Sequence, residues 1–337
     1  MTRGCQIYPV RLTLLSLTLV WVLILVGLGT PPAAWADSVF DPGRLSFSVT
    51  VNDRLTPYHT MLASVMPGKT LDIQLTGTHL REAFSVSAPG GQFSEKGRGG
   101  WRWHAPDNPG YYPLQITRRE SNETLSLRVF VLVPATQVRD GRLNGYRIGH
   151  YPEKPFRGLA AYAAPTGFIE VTEENVRTQV SPHFRLGQFL SKQQSGYPKY
   201  LLLSPRLLTK LELLLEDVNA AGIRTNGFVI MSGFRTPFYN RLIGSSTNSR
   251  HMFGGAADIY IDDGQPRGMM DDLNNDGASD RKDAAILYDL AEDLPLRHGL
   301  PELIGGLGEY DARLPVRGPF IHVDVRRLRA RWGRSPD

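Results

Sequence analysis

The hydrophobic periodicity changes near residue 136, and this change constrains the fold more than any other feature of the chain. Between residues 38 and 135, short runs such as Leu45–Val51 and Thr70–Leu75 alternate apolar and polar residues, and turns rich in Pro and Gly separate them. Alternation with a period of two is typical of strands that bury one face. Several short strands at this spacing predict an all-β domain with an Ig-like, antiparallel sandwich fold.

The second half of the chain combines helical and strand-like signals. Ser204 followed by Pro205 is typical of a helix start, and leucines at helical spacing follow up to Val218. The other predicted elements are a helix at 281–297 and strands at 228–231, 256–261 and 320–325. Helices and strands in this mixed order predict an α+β domain.

The N-terminal segment has the pattern of a secretory signal peptide. Arg3 and Arg11 precede an apolar run at 12–29, and Ala34–Ala36 supplies the small residues of a cleavage site. An uncleaved inner-membrane anchor is the alternative, because the run approaches the roughly 18–20 residues that a spanning helix needs. The pattern predicts export, with the periplasm as the expected location and membrane contact only through this segment if it stays uncleaved.

The chain therefore divides into four predicted parts. They are a signal peptide at 1–36, a β-sandwich module at 37–135, a connection at 136–177 and the α+β domain at 178–332, with an insertion at 264–283. The length agrees with two folded domains, since one domain usually takes roughly 100–200 residues.

Charge and cysteine content exclude several classes of protein. The net charge of +5 is spread along the chain without long Lys/Arg blocks, so nucleic acid is not an expected partner. The single cysteine, Cys5, excludes intramolecular disulfides and zinc sites built from cysteine pairs. Any bound metal must be held by histidines and carboxylates.

An arginine follows the predicted strand at 228–231. Arg235 lies at the expected turn between that strand and a helix that Pro237 would open. A guanidinium at such a turn can form a bidentate pair with a substrate carboxylate, which lysine does less well. Arg235 is thus a candidate substrate-binding residue.

Two further segments hold metal-binding residue types. His251 and Asp258 lie seven residues apart across small residues, and His322 and Asp324 project from one face of a predicted strand because side chains alternate. Two histidines and an aspartate suit Zn²⁺ and leave one coordination position free, as in catalytic zinc sites.

These segments, in this order, resemble the motifs of the zinc D-alanyl-D-alanine peptidases, and most closely their exported murein endopeptidase branch. The matching segments are 232–240, 249–258 and 320–325, with weaker similarity at 181–189 and 305–310. The resemblance covers about residues 178–332. It implies the D-Ala-D-Ala metallopeptidase and hedgehog-type fold for the C-terminal domain only, with a zinc cofactor and peptidoglycan as the partner.

The resemblance also implies roles for individual residues. His251, Asp258 and His322 would bind zinc, and Arg235 and Ser249 would bind the substrate peptide. The carboxypeptidase and dipeptidase relatives carry a catalytic Glu three residues before the last zinc histidine.

This chain has Pro319 at that position, and proline cannot accept a proton. Asp324 is the first candidate for the general base and Glu309 the second. Asp324 could equally orient a zinc histidine without acting as a base.

The insertion contains a pattern that resembles a twelve-residue calcium loop. The candidate ligands are Asp272, Asn274, Asp276, the Ala278 carbonyl, Asp280 and Asp283. Gly277 falls at the turn position of such a loop. Calcium is therefore a second candidate cofactor, and the alternative is a solvated acidic turn that caps the following helix.

The expected function is that of a zinc metallopeptidase that hydrolyses peptide bonds of peptidoglycan stem peptides or cross-links. The alternative is a non-catalytic, zinc-containing peptidoglycan-binding protein, which the missing Glu would explain. The sequence leaves open whether the action is that of an endopeptidase or a carboxypeptidase, and whether it is on D,D or L,D bonds.

Overall fold

The computed structural model describes Met1 and residues 40–77, 83–263 and 267–334. The predicted signal peptide, apart from Met1, lies outside these residues. Within them, no helix is both long and apolar enough to cross a membrane.

Strands predominate over helices in the described part of the chain. The strands are β1 (Arg44–Val51), β2 (Arg54–Tyr58), β3 (Thr60–Val65), β4 (Thr70–Thr76), β5 (Phe84–Ser87), β6 (Gln92–Glu95), β7 (Gly100–His104), β8 (Gly110–Arg118), β9 (Thr124–Val131), β10 (Val133–Pro134), β11 (Arg142–Leu143), β12 (Tyr146–Arg147), β13 (Gly167–Val171), β14 (Lys199–Leu201), β15 (Val229–Ser232), β16 (Ala256–Tyr260), β17 (Gly306–Tyr310), β18 (Phe320–Asp324) and β19 (Ala330–Trp332). The α-helices are α1 (Pro205–Ala220), α2 (Pro237–Leu242) and α3 (Arg281–Arg297).

The N-terminal region consists of two sheets. One has the strand order β2-β1-β4-β7-β6 and the other β3-β9-β8-β5. Alternate residues are buried, as along β4, where Leu71, Ile73 and Leu75 face inward. The buried residues of both sheets belong to one hydrophobic cluster. The predicted β-rich character is thus confirmed, while the Ig-like assignment stays a prediction.

One feature differs from the predicted antiparallel arrangement, because β3 pairs with β9 in parallel. Only His59 separates β3 from β2, and the chain passes at this residue from the first sheet to the second. The direction of β3 is therefore set by its continuation from β2, not by a hairpin with a neighbouring strand.

The C-terminal region is built on a five-stranded sheet with the order β15-β16-β18-β17-β19. Its pairs are antiparallel except β17 with β19. Helix α3 packs on β17 and β18, and α1 packs on α3. Leucines at helical spacing on α1 are buried, as the sequence pattern predicts.

A partly buried carboxylate joins α1 to the N-terminal region. The hydroxyl of Tyr58 donates to Oε1 of Glu216 at 2.7 Å, and the guanidinium of Arg44 donates to Oε2 at 2.7 and 3.0 Å. The described residues from Phe40 onward form one compact unit.

Helix α1 also carries a buried ammonium group beneath the C-terminal sheet. Nζ of Lys210 donates to the backbone carbonyls of Leu303 and Asp324 at 3.2 and 3.1 Å. Burial lowers the pKa of Lys210 to about 8, because a charged group out of water is disfavoured. The folded state therefore releases this proton at a lower pH than the unfolded chain does.

We expect Lys210 to make stability depend on pH between about 8 and 10.4, the usual pKa of lysine. The unfolded chain binds the extra proton in this window, so the free energy of unfolding rises with pH. Relative to Lys210→Met, the parent protein should gain about 2–3 kcal/mol between pH 7.5 and 10. Urea unfolding at several pH values measures this difference. Lys154→Met, at an exposed lysine, should show the same change in unfolding free energy with pH as the parent. The expectation would be contradicted if Lys210→Met also showed that same change.

Candidate metal centre

Three side chains converge on one buried point of the C-terminal sheet. Nε2 of His251 lies 3.2 Å from Oδ1 of Asp258, Nδ1 of His322 lies 2.8 Å from the same oxygen, and the two ring nitrogens are 3.1 Å apart. Tetrahedral zinc ligands at about 2.0–2.1 Å from the ion stand about 3.3 Å apart. Within the described ranges, this is the one group of three or more His, Cys, Asp or Glu side chains whose ligand atoms all lie within 4.8 Å of one another.

The sheet register brings two of these residues together. Asp258 on β16 lies directly opposite His322 on β18, so both side chains project from the same face. His251 comes from a 3-10 helix that ends at Gly254, where the backbone has a φ of +64°. A Cβ at Gly254 would also collide with the backbone of Leu202, so glycine is required for the chain to enter β16 here.

Each histidine is oriented by a hydrogen bond from its other ring nitrogen. Nδ1 of His251 donates to the carbonyl of Gly233 at 2.6 Å, and Nε2 of His322 donates to Oδ2 of Asp324 at 3.2 Å. Because a carbonyl or carboxylate only accepts, these bonds fix the protonated nitrogens and leave Nε2 of His251 and Nδ1 of His322 free as ligands.

The pKa values follow from burial and from these contacts. Burial lowers the pKa of His251, which favours the neutral ring that binds metal ions. Burial also disfavours a charged His322, but its bonds to Asp258 and Asp324 raise its pKa. The two histidines hold the pKa of Asp258 well below its usual range despite burial.

Asp324 lies on the side of the His322 ring that faces away from Asp258. It is fully buried, and its oxygens accept from the amide of Gly306 at 2.8 Å and from the guanidinium of Arg326. Burial alone would raise the pKa of Asp324, but His322 and Arg326 hold it far below the usual range. Of the two roles left open for Asp324, this geometry favours the orientation of His322.

The structure does not bring Glu309, the second candidate base, to the cluster. Glu309 pairs with Ile321 across β17 and β18, whereas His322 pairs with Gly308, so Glu309 projects from the opposite face. There its carboxylate binds the Arg281 side chain at 2.5 Å.

Arg235 lies next to the cluster, but its guanidinium already has partners. Nη2 binds Oδ2 of Asp258 at 2.6 Å, Nε binds Ser232 at 2.8 Å and Nη1 binds Ser245 at 3.3 Å. In this structure Arg235 therefore holds a candidate metal ligand in place.

The cluster opens into a cleft of about 660 Å³ that also includes Ser249. Sequence reasoning missed three arginines of this cleft, Arg250, Arg317 and Arg326. Strand alternation could have indicated Arg326, which stands two residues after Asp324, whereas Arg317 lies in a loop without a recognisable motif.

The acidic groups of the calcium-loop-like insertion bind the loop itself. Asp272 accepts from the amide of Gly277 at 2.7 Å, and Asp276 binds the ammonium of Lys282 at 2.7 Å. Asp280 caps α3, and Asp283 completes a capping box with it, as the helix-cap alternative predicts. The amide oxygen of Asn274 and the Ala278 carbonyl belong to the same loop. A calcium site here stays a prediction.

Comparison with known proteins supports a peptidase. The Peptidase M15 family model matches residues 198–281, about a quarter of the chain, and this confirms the resemblance to zinc D-alanyl-D-alanine peptidases for the C-terminal region. His251 and Asp258 lie inside the matched segment and His322 lies outside it. No curated protein sequence matches the chain.

Two solved structures show only slight similarity. One is a nucleoside hydrolase-related hypothetical protein from Saccharophagus degradans that is associated with carbohydrate metabolism, with 13% identity, a TM-score of 0.19 and coverage of 26% of this chain and 25% of that one. The other is the titin M3 domain, with 12% identity, a TM-score of 0.17 and coverage of 26% and 98%. The chain thus spans a quarter of the first structure, and similarity at this level indicates neither a fold nor a function for the chain.

We expect Asp324→Asn to weaken zinc binding by about 10–100-fold without abolishing it, because the amide no longer fixes the His322 ring as the carboxylate does. Competition with a chromophoric chelator measures the affinity, and circular dichroism checks folding. Glu309→Gln is the matched control, since it changes a buried carboxylate on the opposite face of the same sheet and should leave the affinity unchanged. Equal losses in both variants would contradict the assignment.

Proposed function

We propose that this protein is a zinc metallopeptidase that hydrolyses peptide bonds of peptidoglycan stem peptides or cross-links. The convergence of His251, Asp258 and His322 at the floor of a cleft carries the proposal. The Peptidase M15 match over residues 198–281 supports it. The peptidoglycan substrate and the periplasmic location rest on the motif resemblance and on the signal-like pattern at 1–36.

The side chains of the candidate metal centre would have distinct roles. His251, Asp258 and His322 would hold zinc, which supplies the Lewis acidity that polarises a carbonyl and lowers the pKa of water. Asp324 keeps the His322 ring in the ligating tautomer. Arg235 holds Oδ2 of Asp258, which leaves Oδ1 directed at both histidines.

A carboxylate base is the missing part of this arrangement. Pro319 occupies the position of the relatives' Glu, Asp324 is fully buried behind His322, and Glu309 lies on the other face of the sheet. Of the described residues that line the cleft, Asp258 is the only acid. This observation favours the second candidate function, that of a zinc-containing protein that binds peptidoglycan without cleaving it.

Incubation of the zinc-loaded protein with purified peptidoglycan separates the two functions. We expect the parent to change the muropeptide profile and His251→Ala to lose at least 100-fold of that rate, because the metal centre is then incomplete. His104→Ala, at an exposed position of strand β7, is the matched control and should keep the rate. An unchanged profile with zinc-dependent sedimentation on peptidoglycan would instead establish the binding protein.

We propose separately that the loop 272–283 binds calcium and stiffens the insertion, a proposal supported by the ligand register of the sequence. Calorimetric titration with Ca²⁺ should give heat for the parent and for Asp289→Ala, whose carboxylate lies on α3 outside the loop. Asp272→Ala should abolish the heat, because position 1 supplies a charged ligand. If the parent gives no heat, the loop does not bind calcium, and its acidic residues serve to cap helix α3.

A further inference from the structure

A cavity of about 480 Å³ lies apart from the cleft, between the N-terminal sheets and helix α1. Its buried lining is apolar and comes from both regions of the chain. Leu62 and Leu127 belong to the N-terminal sheets, Leu213 to α1 and Leu303 to the segment before β17. This volume and this apolar lining are typical of small-molecule sites. Of the described residues, none lines both this cavity and the cleft at the metal centre.

Three arginines from different parts of the chain line the same cavity. Arg54 begins strand β2, Arg206 lies in the first turn of α1, and Arg327 follows strand β18. Arg54 and Arg327 are exposed and Arg206 is half-buried, so these arginines border the solvent-facing side of the cavity. The cavity thus combines an apolar interior with a cationic entrance.

Among the described residues, none of these three guanidiniums has a hydrogen-bond or ion-pair partner. The other cations at the cavity differ in this respect, because Arg44 is paired with Glu216 and His298 with Asp217. The donors of the three unpaired guanidiniums are therefore available to a ligand.

The positive charges of the three arginines repel one another. Partial exclusion of water, followed by the charge of Arg327, lowers the pKa of Arg54. Partial burial and the charges of Arg54 and Arg327 likewise lower the pKa of Arg206, and Glu302 offsets this effect only in part. A cation is disfavoured where water is partly excluded and other cations lie close to it. An anion bound among the three arginines would relieve this repulsion.

The backbone holds Arg327 at the cavity in an unusual conformation. Its φ is +67°, in the left-handed region, and its amide donates to the carbonyl of Ile304 at 2.8 Å. A residue with a bulky side chain adopts this region only where the surrounding structure imposes it, and such strain is concentrated at functional sites. The conformation therefore favours a binding role for Arg327.

The donors and charges at the entrance suit a phosphate group. One guanidinium satisfies both oxygens of a carboxylate, whereas a phosphate monoester offers three acceptor oxygens and up to two negative charges to several guanidiniums at once. Asp53 and Glu302 also line the cavity, and their negative charges reduce its attraction for any anion. A dianion gains more than a monoanion from the positive charge that remains.

We propose that Arg54, Arg206 and Arg327 form a binding site for the phosphate group of a ligand whose carbon skeleton occupies the apolar interior of the cavity. The phosphate belongs either to a lipid headgroup or to a small soluble phosphorylated compound. The site lies apart from the metal centre, so it does not depend on the peptidase function.

Calorimetric titration of the zinc-loaded full chain with two phosphomonoesters tests the proposal. Glycerol 3-phosphate is the soluble probe, and dihexanoyl phosphatidic acid carries the same headgroup on two short acyl chains. Glycerol and dihexanoylglycerol are their neutral partners. The parent should bind at least one phosphomonoester about 10-fold or more tighter than its neutral partner, since hydrogen bonds between charged groups are the strong ones.

Arg206→Gln and Arg327→Gln should each weaken phosphomonoester binding about 5-fold or more, because each removes a charged donor. Arg206→Lys should have an intermediate affinity, since an ammonium keeps the charge but not the planar fork. Arg98→Gln is the matched control and should bind as the parent does. It changes an exposed arginine in the turn between β6 and β7, at the opposite edge of the sheet from β2.

Zinc is itself able to bind phosphate, so His251→Ala separates this site from the metal centre and should keep the parent's affinity. Tighter binding of the phosphatidic acid than of glycerol 3-phosphate identifies a lipid as the source of the phosphate. Equal or weaker binding identifies a soluble compound.

The inference is overturned if the parent prefers neither phosphomonoester to its neutral partner. It is also overturned if Arg206→Gln and Arg327→Gln both keep the parent's affinity, or if His251→Ala or Arg98→Gln loses as much affinity as they do. Zinc-dependent peptidoglycan hydrolysis can be present or absent in any of these cases, so the two proposals fail independently.

Discussion

The buried chain of charged and polar groups through the metal centre determines much of the C-terminal architecture. It runs from Arg235 through Asp258 and His322 to Asp324 and Arg326, with distances of 2.5–3.2 Å between neighbours. Burying such groups is costly unless each has a partner of opposite character. The carboxylates alternate with arginines and a histidine, which meets this condition, and a shift of one strand would leave a buried carboxylate unpaired.

Backbone groups from several elements complete this network. The carbonyl of Gly233, after β15, accepts from His251, and the amide of Gly306, at the start of β17, donates to Asp324. A Cβ at Gly306 would collide with the Asp324 carboxylate, so the bond requires a glycine at this position. Lys210 donates to the Asp324 carbonyl, and this bond connects helix α1 to the strand that carries His322.

The sequence could predict the parts of this centre that depend on local spacing. Alternation along one strand puts His322 and Asp324 on one face, and the resemblance to the zinc peptidase motifs implies that His251 and Asp258 share a metal site. The position of Glu309 could not be predicted, because the face it occupies depends on the register of β17 against β18, which is a long-range property. The parallel pairing of β3 with β9 escaped prediction for the same reason.

The two oxygens of Asp258 explain why one arginine cannot perform both tasks expected of Arg235. Oδ1 faces the two histidines, and Oδ2 is held by Arg235 at 2.6 Å. If Arg235 turned to a substrate carboxylate, Oδ2 would lose its charged partner in a buried site, at a cost of about 1–3 kcal/mol or more. The carboxylate of a ligand is therefore better bound by a group that the metal centre does not use.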